Sequence, residues 1–296
     1  MRDLLSSHPH IPARAWQRLQ RRSLSERRWS AVTLWAGIVI VVTITLLSFA
    51  APLLGLPDPN TTDLFNTLKP PSSEHLFGTD DLGRDIFTRV LYAGQVDLTF
   101  GIITTYLSLV IGLVIGALSG YFGGLLDTII MRVVDLVISF PFIVLILAIT
   151  AITGPGLTGA YIGVLVVSWA LYARLTRGEM LALREQQYIL NAQTLGYSTS
   201  RIIFVHSIPN LLRSNLVFSM SDIVLNILTL AALSYLGLGV APPTPEWGEM
   251  VAQGQKNLFN AWWMSTLPGL VIVLVGVGFS LIGDGLADRL GEGGAS

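Results

Sequence analysis

The chain has 296 residues, of which 52% are hydrophobic and only 12% carry a formal charge. Soluble domains carry charge on about a quarter of their residues, so this composition predicts a protein whose solvent is largely lipid. The sequence contains no cysteine, which excludes a disulfide framework, thiolate metal ligands and thiol catalysis.

Uncharged stretches long enough to cross a bilayer recur along the chain. The longest, 136–173, has 38 residues without Asp, Glu, Lys or Arg, and Gly154, Pro155 and Gly156 divide it at a predicted turn. Because about 20 apolar residues cross the hydrocarbon core, the pattern predicts six transmembrane helices, at 31–54, 98–119, 133–153, 158–174, 219–240 and 266–285. The first is longer than the roughly 7–15 apolar residues of a signal peptide, so we expect an uncleaved anchor.

Lysine and arginine residues are concentrated in every second connecting segment. The segments 1–30, 120–132, 174–218 and 286–296 carry 14 of them, whereas the alternate segments carry 4. Positive residues favour the cytoplasmic side, so we expect both termini in the cytoplasm, as a basic tail at 1–30 and a short tail at 291–296. The arginines of the first tail directly precede a span, which favours contact with anionic lipid over binding of nucleic acid.

The first long outer segment, 55–97, contains a dense polar motif at 75–85, His-Leu-Phe-Gly-Thr-Asp-Asp-Leu-Gly-Arg-Asp. After it, apolar residues at i, i+1, i+4 and i+5 predict a short amphipathic helix on the outer membrane surface, built on Ile86, Phe87, Val90 and Leu91. We expect Thr79, Asp80 or Asp81 to cap the start of this helix.

The cytoplasmic segment 174–218 is predicted to form two short helices that project from the bundle. Gly196 supplies the permissive backbone that ends the first helix, and Ser198 or Thr199 can cap the second. Pro209 ends or bends the second helix. A small apolar surface is expected to face the cytosol unless another protein covers it, formed by Ile202, Ile203 and Phe204. Such a helix–turn–helix is suited to docking into another protein.

The second long outer segment, 241–265, is rich in proline and tryptophan. Trp247 lies between prolines and Gly248, a position that favours a structural plug over a surface for stacking a ligand. Trp262 and Trp263 are expected to mark the outer membrane interface, where aromatic side chains accumulate.

Only two carboxylates, Asp135 and Asp222, lie near the interior of a predicted span. Arg132 precedes Asp135 by three residues and can pair with it on one helix face, which favours a structural ion pair over a role in transport. Asp222 can either cap the start of the fifth span or face a cavity. Ionisable groups at membrane depth also leave open a self-sufficient secondary carrier.

Glycines recur at every fourth residue along the second span and its inner end, at Gly112, Gly116, Gly120 and Gly124. This spacing allows close helix packing, either within the chain or against another subunit. The chain has only two lysines and no phosphate-binding G-x-x-x-x-G-K-[ST] loop. It also lacks a catalytic constellation, so we predict a non-catalytic protein with no metal site.

Six motifs in chain order resemble the permease subunits of binding-protein-dependent ABC importers. The cytoplasmic segment looks like the EAA loop of that family, with Ala192, Gly196 and Pro209 in register. Two positions depart from the signature, because Leu190 replaces its glutamate and Asn191 its first alanine. The other five motifs are similar to the C-type permease of the dipeptide, oligopeptide and nickel branch, at 77–85, 130–135, 234–239, 242–248 and 283–288.

The resemblance implies an all-α fold like that of type I ABC importer permeases, with five core transmembrane helices in 98–290 after the anchor at 31–54. It implies four kinds of partner: a second homologous permease, two cytoplasmic ATPases, an external solute-binding protein and the lipid bilayer of a bacterial inner membrane. ATP and Mg would be bound by the ATPases, and no cofactor by this chain.

The family pattern also implies roles for three sets of residues. A coupling helix at about 190–203 would dock on one ATPase, through Leu190, Asn191, Ala192, Leu195, Gly196, Arg201 and Pro209. The outer segments would receive the binding protein, through Asp80, Asp81, Arg84, Glu246 and Trp247. The translocation path would include Ser139, Asp222 and Asn226.

These motifs do not identify the transported solute. Di- or oligopeptides are the first expectation from the resemblance. A permease for nickel or a metal chelate on the same scaffold is the alternative, and glutathione, opines and a role in export or regulation remain open. A self-sufficient carrier of another class would transport without ATP.

Overall fold

The computed structural model describes residues 13–292, with side chains for residues 31–290, and helices form almost all of its regular structure. Within this part of the chain there is no β-strand, and a single β-bridge joins Thr79 to Asp85. The α-helices are α1 (Ala13–Ala50), α2 (Ile86–Phe122), α3 (Gly124–Ser139), α4 (Phe142–Thr153), α5 (Leu157–Leu183), α6 (Gln187–Thr194), α7 (Thr199–Arg201), α8 (Ile208–Tyr235), α9 (Trp247–Gly254) and α10 (Trp263–Glu292). The all-α prediction is confirmed. The predicted tails fall partly outside the described residues, at 1–12 and 293–296, as do the side chains of the arginines in 13–30.

Within residues 13–292, five helices are long and apolar enough to cross a membrane, or six if the bent pair α3 and α4, which meet at 91°, counts as one crossing. The predicted third span, 133–153, is therefore wrong as a single straight helix. Its break lies at Phe140 and Pro141: Phe140 is extended, with φ −85° and ψ 145°. A residue before proline is pushed out of the helical region by the proline ring, so the apolar run turns a corner there.

The predicted surface helix after residue 85 does not exist as a separate element. Ile86 and Val90 are buried in the main apolar cluster of the bundle, so this stretch is the first part of α2 rather than a helix on the membrane surface. Asp85 caps it, because its Oδ2 accepts the backbone N–H of Thr88 at 2.8 Å. The expected caps Thr79, Asp80 and Asp81 are wrong, because all three precede the helix start by several residues.

Helix α2 is the central element, packed along α5 and α8. A Cβ added at Gly112, Gly116 or Gly120 would collide with atoms of α5, so these glycines serve internal packing, one of the two predicted alternatives. Gly124 does not join them: an added Cβ would meet nothing within 4 Å, and its φ of +61° lies in the turn that starts α3. The first helix α1 packs chiefly on α10.

Two ion pairs attach α3 to α5. Arg177 donates to both carboxylate oxygens of Asp127, at 2.5 and 2.6 Å, and Arg174 pairs with Asp135. The predicted pairing of Asp135 with Arg132 is wrong, because Asp135 finds its cation on the neighbouring helix rather than one turn earlier on its own.

Candidate functional site

Two segments that are distant in sequence, 55–85 and 241–262, meet outside the bundle and form one surface, here called the outer platform. Arg89 joins them, because its Nη1 donates to the carbonyl oxygen of Pro59 at 2.9 Å and to that of Pro243 at 3.4 Å. Arg89 is 1% exposed, so these hydrogen bonds are shielded from water and fix the two segments relative to each other.

A buried ion pair shapes the polar motif of the platform. The Nε of Arg84 lies 2.6 Å from Oδ2 of Asp80, and both residues are 4% exposed. Asp80 also accepts the backbone N–H groups of Leu82 and Arg84 at 2.9 Å. A carboxylate can be buried at acceptable cost only when it is paired and hydrogen-bonded in this way. Arg84 reaches on to Gln253 of α9 at 3.3 Å, so the pair also links the motif to the second segment.

The start of α9 is locked into the same region. Glu246 accepts the backbone N–H groups of Gly248 and Glu249, at 2.8 and 2.7 Å, as an N-cap. Trp247 is fully buried, and its indole N–H donates to the carbonyl oxygen of Val90 at 2.9 Å. This agrees with its prediction as a structural plug. Burial also raises the pKa of Glu249, with the nearby Glu246 carboxylate adding to the effect.

Four of the five residues predicted to dock a binding protein are thus interior to the platform, and only Asp81 is exposed. The most exposed aromatic side chains of the platform are instead Phe65, 96% exposed, and Phe259, 99% exposed. The sequence gives no signal for them, since a single aromatic residue in a polar loop belongs to no periodic pattern.

In the loop segment 174–218, Gly196 ends α6 with a Schellman motif. Its own N–H donates to the carbonyl oxygen of Gln193 at 2.9 Å, and the N–H of Tyr197 donates to that of Ala192 at 3.1 Å. Gly196 has a φ of +77°, in the left-handed region that residues with a Cβ adopt at a cost. The predicted role of Gly196 as the helix end is confirmed.

The two sides of this loop differ in exposure. Ile189, Ala192 and Ile202 are buried together against Tyr121 and Tyr197, so the loop is anchored to the C-terminal end of α2. The outward side presents the remaining predicted coupling residues, which are all exposed: Leu190, Asn191, Leu195, Gly196, Arg201 and Pro209. Among them Leu195 is the most prominent apolar group, 72% exposed.

The predicted apolar surface at 202–204 is only partly present. Ile202 and Ile203 are buried, and Phe204 is 51% exposed. The expectation was wrong for the first two because the second helix packs back onto the bundle rather than hanging free.

Pro209 does not end the second helix of the loop. The chain forms a π-helical turn over Ile202–Ser207 and then continues as α8 with Pro209 in its first turn, where a missing N–H is tolerated. As a result α7, the π-helical turn and α8 make one helical rod from Thr199 to Tyr235.

The three predicted path residues are not brought together. Ser139 is exposed at the corner between α3 and α4, and its hydroxyl donates to the carbonyl oxygen of Leu136 at 2.7 Å. Asp222 and Asn226 are buried side by side within α8, 2% and 0% exposed. Asp222 is not a helix cap, since α8 begins at Ile208. Among the described residues, no group of three or more His, Cys, Asp or Glu could hold a metal ion.

The family model described as binding-protein-dependent transport system inner membrane component matches residues 112–292. The dipeptide transport system permease protein DppC of Alkalihalophilus pseudofirmus is 40% identical over 254 residues, which cover 86% of this chain and 84% of that protein. The oligopeptide transport system permease protein OppC of Bacillus subtilis is 39% identical over 254 residues, 86% of this chain and 83% of that one.

One relative is named for another solute, and one solved structure has a similar fold. The glutathione transport system permease protein GsiD of Pectobacterium atrosepticum is 37% identical over 275 residues, 93% of this chain and 90% of that one. A chain of the inward-facing MetNI methionine ABC transporter superposes with a TM-score of 0.54 at 21% identity, covering 68% of this chain and 96% of that one, and so shares the fold. The chain therefore belongs to the family of binding-protein-dependent transport system inner membrane components, and is a multi-pass, non-catalytic permease subunit of the inner membrane.

Proposed function

We propose that this chain is one of two permeases in an ATP-driven importer that takes up di- or oligopeptides delivered by an external binding protein. The family description and the dipeptide and oligopeptide permeases among the relatives support this assignment. The observation that carries it is the exposed cytoplasmic loop fixed to the end of a transmembrane rod, because an ATPase outside the membrane needs such a lever to move the bundle.

The proposed lever is one continuous helical segment. The helical rod from Thr199 to Tyr235 has 37 residues, about 55 Å at 1.5 Å per residue. Force on the loop is therefore delivered to the outer end of α8. The exposed residues Leu190, Asn191, Leu195 and Arg201 make the contact with one ATPase, while buried Ala192 keeps α6 seated on the bundle. ATP and Mg are bound by the two ATPase chains, whose closure switches the packed bundle between two states.

The outer platform receives the binding protein. Its accessible groups are Asp81, Phe65 and Phe259, and the buried Asp80, Arg84, Glu246 and Trp247 act indirectly by holding the platform in shape. In this proposal the exposed side chains contact the binding protein, and the buried ones hold the platform in shape. The proposed arrangement has both termini in the cytoplasm, and an amino-terminal tag should therefore be protected from protease in right-side-out vesicles.

Uptake by the reconstituted importer distinguishes the possible solutes. The complex with its binding protein is placed in proteoliposomes, and uptake of a labelled dipeptide, an oligopeptide, glutathione and a nickel chelate is measured with and without ATP. ATP-dependent uptake of a peptide that needs the binding protein is the expected result. Uptake of the nickel chelate alone would replace the peptide assignment while leaving the importer class intact.

A further inference from the structure

Two buried carboxyl groups meet at the first turn of α9. Asp97, on α2, accepts the backbone N–H of Trp247 with its Oδ2 at 3.1 Å. Glu246 accepts the next two backbone N–H groups, those of Gly248 and Glu249, at 2.8 and 2.7 Å. The free N–H groups of a first helical turn point toward the same side, so the two carboxyl groups lie beside each other there, in hydrogen-bonding contact.

Neither carboxyl group has access to water or to a counter-charge. Asp97 and Glu246 are both 0% exposed, and no ion pair of the described residues includes either of them. No donor within the described part of the chain reaches Oδ1 of Asp97, which is buried. An ionised carboxylate only accepts hydrogen bonds, so the contact between the two groups contains no hydrogen unless one of them carries a proton.

The charged groups around this pair do not supply the missing counter-charge. On α2 the nearest cation is Arg89, eight residues before Asp97, and it faces Asp80, with 3.9 Å between Nε and Oδ2. On α9 the neighbouring titratable group is Glu249, a further carboxylate, which accepts the amide of Gln253 at 3.0 Å. The last three turns of α1 and α8 and the first three turns of α5 and α10, at the same end of the bundle, contain no charged residue.

We propose that Asp97 and Glu246 hold one proton between them, and that this proton fixes the start of α9 to α2. Two adjacent buried carboxylates do not both ionise without a counter-charge. Asp97 is the acid of the pair, because it accepts one backbone N–H whereas Glu246 accepts two, and such bonds favour the ionised form. The O–H of Asp97 therefore donates to the Glu246 carboxylate.

The proton gives Asp97 a positioning role for the outer platform. Helix α9 carries Gln253, which bonds to Arg84 of the other platform segment, so the position of α9 sets how the two segments meet. Loss of the proton would place two negative charges together and weaken the join between α2 and α9. This role requires neither ATP nor the transported solute, and it is independent of the direction of transport.

Infrared spectroscopy of the purified complex detects the shared proton directly. The difference spectrum between wild type and Asp97→Asn at neutral pH is expected to contain the C=O stretch of a protonated carboxylic acid, shifted in heavy water. Asp222→Asn is the matched control, because it removes another buried carboxyl group from a membrane helix and should leave this band in place. The absence of a band that depends on Asp97 would overturn the proposal.

The pH dependence of stability gives a second readout, which a purely structural role for Asp97 would not change. Above the ordinary carboxyl pKa of about 4, the folded state holds one proton more than the unfolded state, so stability falls as the pH rises. The unfolding constant of wild type should therefore rise by up to about tenfold per pH unit relative to Asp97→Asn, whose amide donates to Glu246 at every pH.

Two further variants complete this experiment. Asp97→Ser, whose hydroxyl group also donates without titrating, repeats both comparisons and should likewise lack the carboxylic acid band and the fall in stability. Asp97→Ala removes the donor and should unfold at a lower temperature than Asp97→Asn across the whole pH range. The same pH dependence of the unfolding midpoint in wild type, Asp97→Asn and Asp97→Ser would overturn the proposal.

Discussion

Replacing Gly196 with valine should uncouple the cytoplasmic loop from the transmembrane helices while leaving the chain folded in the membrane. Gly196 occupies the left-handed region, with φ +77°, and closes the Schellman motif that ends α6. A Cβ added there meets nothing within 4 Å. The perturbation is therefore one of backbone conformation alone, without a steric clash.

The size of the expected loss of uptake follows from this backbone conformation. A residue with a Cβ in the left-handed conformation costs about 1–2 kcal/mol, which lowers the population of the native loop end relative to alternatives by a factor of about 5–30. Peptide uptake by the reconstituted importer should fall by up to that factor, because uptake follows the fraction of native loop ends. Asparagine tolerates this conformation better than valine, so Gly196→Asn should retain more uptake than Gly196→Val.

The chain offers a control with the same backbone strain in another segment. Gly55 has a φ of +65° and open space around its Cβ position, but it follows the first span, Ala31–Leu53. ATP-dependent uptake is measured for both valine variants at matched levels in proteoliposomes. Wild-type uptake by Gly196→Val would refute the assignment of the loop as the coupling element, whereas a loss in Gly55→Val would report on the outer platform.

Three further substitutions test the packing, each by the thermal unfolding midpoint of the purified chain in detergent. Trp247→Phe removes the buried hydrogen bond to Val90 and should destabilise by about 1–3 kcal/mol. Gly112→Val inserts a side chain against α5 and should destabilise by about 1–3 kcal/mol. Asp80→Asn leaves Arg84 buried without its charge partner and should cost about 3–5 kcal/mol. An unchanged midpoint for any of the three variants would contradict the packing or contact described at that residue.

The parts of the fold that sequence could predict are those set by local chemistry. Charge-free runs of sufficient length located the membrane helices, because lipid excludes ionised side chains regardless of how the helices pack. Gly196 was predictable for the same reason, since a helix end in the left-handed region favours glycine. These features need no knowledge of distant contacts.

The wrong predictions arise where two interpretations of the local sequence are equally good and the packing of the helices decides between them. The apolar face at Ile86 and Val90 suits a surface helix as well as the start of a buried one, and its burial in the bundle selects the second. Asp135 has a cation one turn away, Arg132, but pairs with Arg174, which lies 39 residues further along the chain. Sequence spacing alone does not rank these choices.

The candidate site residues were predicted from motifs, and the sequence does not show how they are arranged. Asp80 and Arg84 occur in a polar motif of the kind usually found on a loop surface, yet both are 4% exposed. They are buried because the segment 241–262 closes over 55–85, and that contact joins residues such as Arg84 and Gln253, 169 positions apart. Exposed residues on the platform, such as Phe65, could only be recognised once this closure was known.

Isolation of the chain with its natural partners tests the central claim most directly. The tagged protein is extracted in mild detergent from its native membrane, and the subunits that accompany it are identified and counted. Co-purification of a second permease and two ATPases is the predicted result, with the ATPases lost from a Leu195→Asp variant of the exposed loop. A chain that purifies alone, and moves solute across proteoliposomes without ATP, would contradict the importer assignment.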